Sequence, residues 1–195
     1  MAEQKTNAEK TIHQLTKKVN QIPKYSFPNY IESLSSINSI PLHILNDRLK
    51  PHKLSQDPRH SATGFISKNE SLMEILIQDN KIVKRYGLTH ADLAYPFFFA
   101  LSEFEKQKGE TDFYFLSRRF SIEISVSGGI QHSPFDDGQK SSSDGIIIRY
   151  DTQKQIQFSC LLPYLIAAYG FYEGNVPYRL APQTIIDFFE LKPNK

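Results

Sequence analysis

Phe120-Ser121-Ile122-Glu123-Ile124-Ser125-Val126-Ser127 alternates apolar and polar side chains without a break, and this stretch decides the fold class. Successive side chains of a β-strand point to opposite faces. The pattern therefore predicts a strand that buries Phe120, Ile122, Ile124 and Val126 and wets Ser121, Glu123 and Ser125. A strand with one solvated face belongs to an antiparallel sheet. Working outward, Phe113 to Leu116 is a second β-rich run. On the other side, Ile146-Ile147-Ile148 reads as a strand buried on both faces, which turns through Asp151 to Lys154 into Ile156 and Phe158 as a hairpin.

Helical patterns surround this sheet. After Cys160, Pro163 suits the first turn of a helix, Tyr164 to Tyr169, that is apolar nearly all round and is thereby predicted to be buried. Pro182 opens a last helix carrying Ile185, Ile186, Phe188 and Phe189. Before the sheet, Thr89 and Asp92 form a capping pair ahead of Leu93, Phe97, Leu101 and Phe104, with Pro96 inside the run and Gly109 at its end. Asn69 is read as the cap of a helix that closes near Asp79-Asn80. Further back, apolar spacing predicts helices over Asn7 to Asn20, Asn29 to Ile37 and Leu42 to Lys50, and residues 51–64 show no periodicity. The expectation is an α+β domain: an N-terminal helical half and a C-terminal, mostly antiparallel sheet packed on a buried apolar helix. Residues 1–60 read as a helical extension or subdomain, and 61–195 as the α+β core.

Composition narrows the function classes. The 195 residues contain no Trp, 14 Phe and 10 Tyr, so aromatic packing is expected to dominate the core. A net charge of +2 supplies no field of the kind that binds nucleic acid, and the basic excess is concentrated before residue 60. No stretch reaches the ~18 apolar residues that a membrane-spanning helix needs, so membrane insertion is not expected. One cysteine precludes an internal disulfide, and the first twenty residues are polar. Both features lead to the expectation of a cytoplasmic protein, with export by a route that reads no N-terminal signal still compatible. The sequence contains no phosphate loop, dinucleotide fingerprint, paired zinc cysteines or His-Glu-x-x-His helix, so no cofactor and no metal site is expected.

The most informative polar stretch is 127–145, rich in Ser, Gly, Asp and Gln. Read as a loop, it is far longer than the ~2–5 residues that a hairpin needs, and surplus loop of this kind usually carries function. His132, Asp136 and Asp137 are its candidate binding groups, joined by Tyr172 and Arg179 from the aromatic, glycine-bounded segment 170–179. The leading expectation is a binding or interaction protein that presents this loop and the nearby aromatics to a protein partner or a small ligand. The rival is a small hydrolase or transferase built on Cys160, or on a metal held by His132 and the loop aspartates, with His132, Cys160 and Asp144 as catalytic candidates. Cys160 lies between Phe158 and Leu161-Leu162, and these apolar neighbours favour a packing role for it.

Overall fold

The computed structural model describes residue 31 and residues 34–107 and 109–193. The helix expected at Asn7 to Asn20 lies outside these residues. The strand read from 120–127 is the second of four in one antiparallel sheet. Its order is β3 (Thr111–Phe115), β4 (Arg118–His132), β5 (Lys140–Arg149) and β6 (Lys154–Ser159), with each strand pairing its sequence neighbour. A separate two-stranded ladder joins β1 (Ser36–Ile37) to β2 (Ile40–Pro41).

The chief correction concerns 127–145. Most of this segment is strand rather than loop: β4 runs on to His132, β5 begins at Lys140, and only 133–139 form the turn between them. Serine and glycine persist in these strands because the inner face needs small residues. Phe158 lies so close over Gly145 that an added Cβ would meet its ring at 2.5 Å. The ladder pairs Phe120 with Arg149, Ile122 with Ile147 and Val126 with Ser143, then resumes at Gln131 with Ser141, leaving 127–130 opposite Ser142 alone. A bulge of this kind bends the strand and breaks its face pattern.

A second correction concerns which side chains are buried. Phe120 and Ile122 are buried as the alternation predicts and Ile124 is half-buried, but Val126, next to the bulge, is exposed. Ser121, assigned to the wet face, is buried. In the isoleucine run Ile147 is fully buried, while Ile146 and Ile148 on the opposite face are half-buried.

Five described helices pack on this frame: α1 (Leu42–Leu49), α2 (Leu72–Arg85), α3 (His90–Gln107), α4 (Leu162–Tyr169) and α5 (Pro182–Phe189). Helix α2 continues past Asp79-Asn80, because Asp79 turns inward to an ion pair with Arg179 instead of ending the helix. Ser36–Ile37 is strand, not the end of a helix; Asn38 and Ser39 take positive φ and turn the chain back on itself. The capping pair at the start of α3 is present: the Thr89 N–H and hydroxyl both donate to Asp92 Oδ2, at 2.8 and 2.7 Å. Helix α3 then runs through Pro96 without a break. Helix α4 is buried nearly all round and ends at Gly170 (φ 60°), where any side chain would strike the His90 ring.

The core is aromatic, as the composition requires. Phe97 of α3 meets Phe158 and Phe189 edge to face, and Phe120 packs on Phe113, Phe188 and Phe189. Leu45 and Leu49 of α1 belong to the same buried cluster as these rings. No described helix is long and apolar enough to cross a membrane.

Candidate functional site

Beside the bulge the sheet borders a cavity of about 330 Å³. The bent end of β4 contributes Gly129, Ile130, Gln131 and His132, and the facing strand β5 contributes Ser141, Ser143 and Asp144. Ser159, at the end of β6, donates its hydroxyl hydrogen bond to Gln131 Oε1 and closes that corner. The opposite walls are loops, one carrying His60, Ser61, Thr63 and Phe65 and the other carrying Glu173, Pro177 and Tyr178.

Charge pairs hold the first loop. Arg59 grips Asp57 through Nε and Nη2, at 2.9 and 2.6 Å, and reaches Asp136 Oδ1 at 2.7 Å. Arg48 of α1 meets the other Asp136 oxygen at 3.2 Å and donates to the Pro134 carbonyl at 2.6 Å. The Arg59 guanidinium holds both the Asp57 and the Asp136 carboxyl below the usual range. His60 stacks on His52 with ring centroids 4.0 Å apart. Burial, helped by that neighbour, lowers its pKa and favours the neutral imidazole.

The second loop positions Glu173. Its backbone adopts φ 63°, an uncommon conformation for a residue with a side chain, and costs about 1 kcal/mol or more. Three contacts enforce it: Gly174 N–H donates to the Phe65 carbonyl at 2.8 Å, Asn175 N–H to the Glu70 carboxylate at 2.9 Å, and Arg179 to the Glu173 carbonyl. Only glycine fits at 174, where a Cβ would lie 2.5 Å from Glu70 Oε2. The carboxyl of Glu173 is thereby set into the cavity wall with the residue 2% exposed, and its Oε1 has no hydrogen-bond partner. Burial pushes its pKa up to about 8, against the opposing pull of Arg179. Ser143, also 2% exposed, likewise has a hydroxyl with no partner. Burial also raises the carboxyl pKa of Asp144.

Of the residues singled out by sequence, His132 and Asp144 are brought together in this lining. Cys160 is not. It is fully buried beneath the sheet end, its N–H donates to the Ser143 carbonyl at 2.9 Å, and burial with the nearby Asp144 drives its thiol far above the ordinary range. Asp136 is spent on Arg48 and Arg59. Asp137 accepts from Ser133 and from the Tyr169 hydroxyl, at 2.9 and 2.7 Å, and so stabilises its own turn. Tyr172 is fully buried, with its hydroxyl 2.8 Å from His90 Nδ1, and Arg179 clamps Asp79 of α2. Among the described residues no three His, Cys, Asp or Glu side chains converge as metal ligands.

Sequence reading passed over Glu173, Ser143, Ser159 and Gln131. For Glu173 the available signal was a charged residue placed directly before the turn glycine, in a segment otherwise aromatic. The chain matches no protein-family model, no curated protein sequence and no solved structure.

Proposed function

We propose that this chain is a binding protein for a small polar ligand, and that the 127–145 segment serves it as one wall of a cavity. The observation that carries the reading is the pair of buried, unpartnered oxygens, Glu173 Oε1 and Ser143 Oγ, on one cavity. Buried polar atoms are almost always hydrogen-bonded, and leaving one unsatisfied costs about 1–3 kcal/mol. Two such atoms on a single concave surface are the mark of a surface completed by something outside the chain. A cavity of about 330 Å³ falls within the ~300–1,000 Å³ of small-molecule sites. The single cysteine supports a reducing, cytoplasmic setting for this binding.

The test is an amide NMR screen of the labelled protein with small fragments bearing hydroxyl, amide, amine, carboxylate or phosphate groups. Shifts are expected to cluster on Gly64, Gln131, Asp144 and Glu173. Fragments that bind elsewhere, or none that bind, would overturn the reading.

A further inference from the structure

Among the described residues the cavity lining contains two carboxylic residues, Glu173 and Asp144, and no lysine or arginine. Two arginines that adjoin lining residues in sequence are ion-paired with other carboxylates, Arg59 with Asp57 and Asp136 and Arg179 with Asp79, and Arg179 reaches Glu173 only at its backbone carbonyl. A phosphate or carboxylate ligand would find no cationic side chain in this lining to offset its desolvation, which is unfavourable. Both unpartnered atoms are oxygens, and an ionised carboxylate only accepts hydrogen bonds. A group with several N–H donors complements both oxygens.

We infer that the ligand is a small organic cation, an ammonium or guanidinium group on a short chain, seated on Glu173 with Ser143 as a second acceptor. This assignment rests on the small-ligand reading above and specifies its chemistry. Binding then requires Glu173 to ionise, so the free protein releases its proton as the cation enters. Burial lets that carboxyl hold its proton to about pH 8. Among the described residues the charged and titratable groups around it are Arg179 and Glu70, which brace its loop, Asp79 of α2, and His60, His132, Asp144 and Tyr178 of the cavity lining. Protonated His60 would repel the cation at acid pH. That part of any profile survives removal of the Glu173 carboxylate, which separates the two effects.

The experiment titrates guanidinium, butylammonium and agmatine into the protein by calorimetry in buffers of different ionisation enthalpy, with xylitol and succinate as neutral and anionic controls. At least one cation is expected to bind with release of about one proton at pH 7, and its affinity to rise about tenfold per pH unit up to pH ~8. E173Q should weaken it about 30-fold or more and abolish the proton release. S143A, which deletes a hydroxyl that has no partner, should fold normally and weaken it less. Xylitol or succinate binding in the cavity as tightly as every cation, with E173Q indifferent, would overturn the cation assignment and leave the small-ligand reading standing. No cavity binding by any compound would overturn both.

Discussion

Phe135, at the tip of the β4–β5 hairpin, lies nearly flat against Tyr169 at the end of α4, with ring centroids 4.1 Å apart and planes 27° apart. Phe135 also meets Phe171 edge to face and is fully buried, so the hairpin tip belongs to the core. Truncating a buried phenylalanine costs about 3–5 kcal/mol, and F135A is expected to lose that much in urea or guanidinium unfolding. Replacing 130–143 by a Gly-Ser linker should unfold the domain. A linker variant that melts within a few degrees of the parent would show that the tip packing contributes little.

Glu173 predicts a specific pH dependence. Its folded pKa, about 8, lies above its ordinary 4.5, so the native state holds a proton that the unfolded chain has released. Its contribution to stability is complete below pH 4.5 and is lost as pH rises to about 8, on the order of 5 kcal/mol in all. E173Q removes this slope. The difference in unfolding free energy between E173Q and the parent should grow in favour of the variant from pH 4.5 to 8 and then level off. A difference that is constant across this range would contradict the burial of an unpaired carboxyl.

His90 works in the opposite sense. It is buried, with Nδ1 on the Tyr172 hydroxyl and Nε2 on Asn80 Oδ1, and burial lowers its pKa from 6.5 to about 4. The unfolded chain protonates first as pH falls, so this contribution is present above pH 6.5 and lost towards pH 4, by about 3 kcal/mol. Between pH 4.5 and 6.5 the His90 and Glu173 slopes offset each other. H90Q should therefore be destabilised at neutral pH, with a deficit that narrows on acidification. NMR titration of the His90 ring checks the same point directly, and a midpoint near 6.5 would contradict it.

Cys160 is expected to behave as an inert packing residue. Its thiol is fully buried and held protonated by desolvation, so iodoacetamide should label it slowly in the native protein and rapidly in denaturant. Rapid native labelling at neutral pH, read by mass spectrometry, would restore a nucleophile role.

The parts of the fold that sequence disclosed are those carried by large side chains or by local chemistry. Phe120 and Ile122 marked β4, Thr89 with Asp92 marked the start of α3, and the prolines marked the starts of α4 and α5. The serine-rich halves of β4 and β5 did not read as strands. Their pairing is set by ladder bonds and by Phe158 crossing over Gly145, and neither leaves a periodic apolar trace. The candidate site was only partly legible for a related reason. Its histidine and one aspartate sit in the suspicious segment, but the burial of Glu173 is produced by Glu70, Phe65 and Arg179, of which only Arg179 is near in sequence. Asp136 and Asp137 looked like free ligands because nothing local reveals that Arg48, Arg59 and Tyr169 already hold them.

The bulged stretch 127–130 gives this protein an adjustable part. A residue added to or removed from an ordinary strand inverts every side chain beyond it, so most strands tolerate no change in length. Here the ladder has already lost its phase between Val126 and Gln131, and the flanking pairs are fixed independently, by the sheet on one side and the buried Phe135 tip on the other. Gly129 and Ile130 also line the cavity. Shortening or lengthening this stretch would alter the cavity wall while both anchored flanks keep their register, so the shape of the cavity can drift in evolution without the scaffold having to be refolded around it.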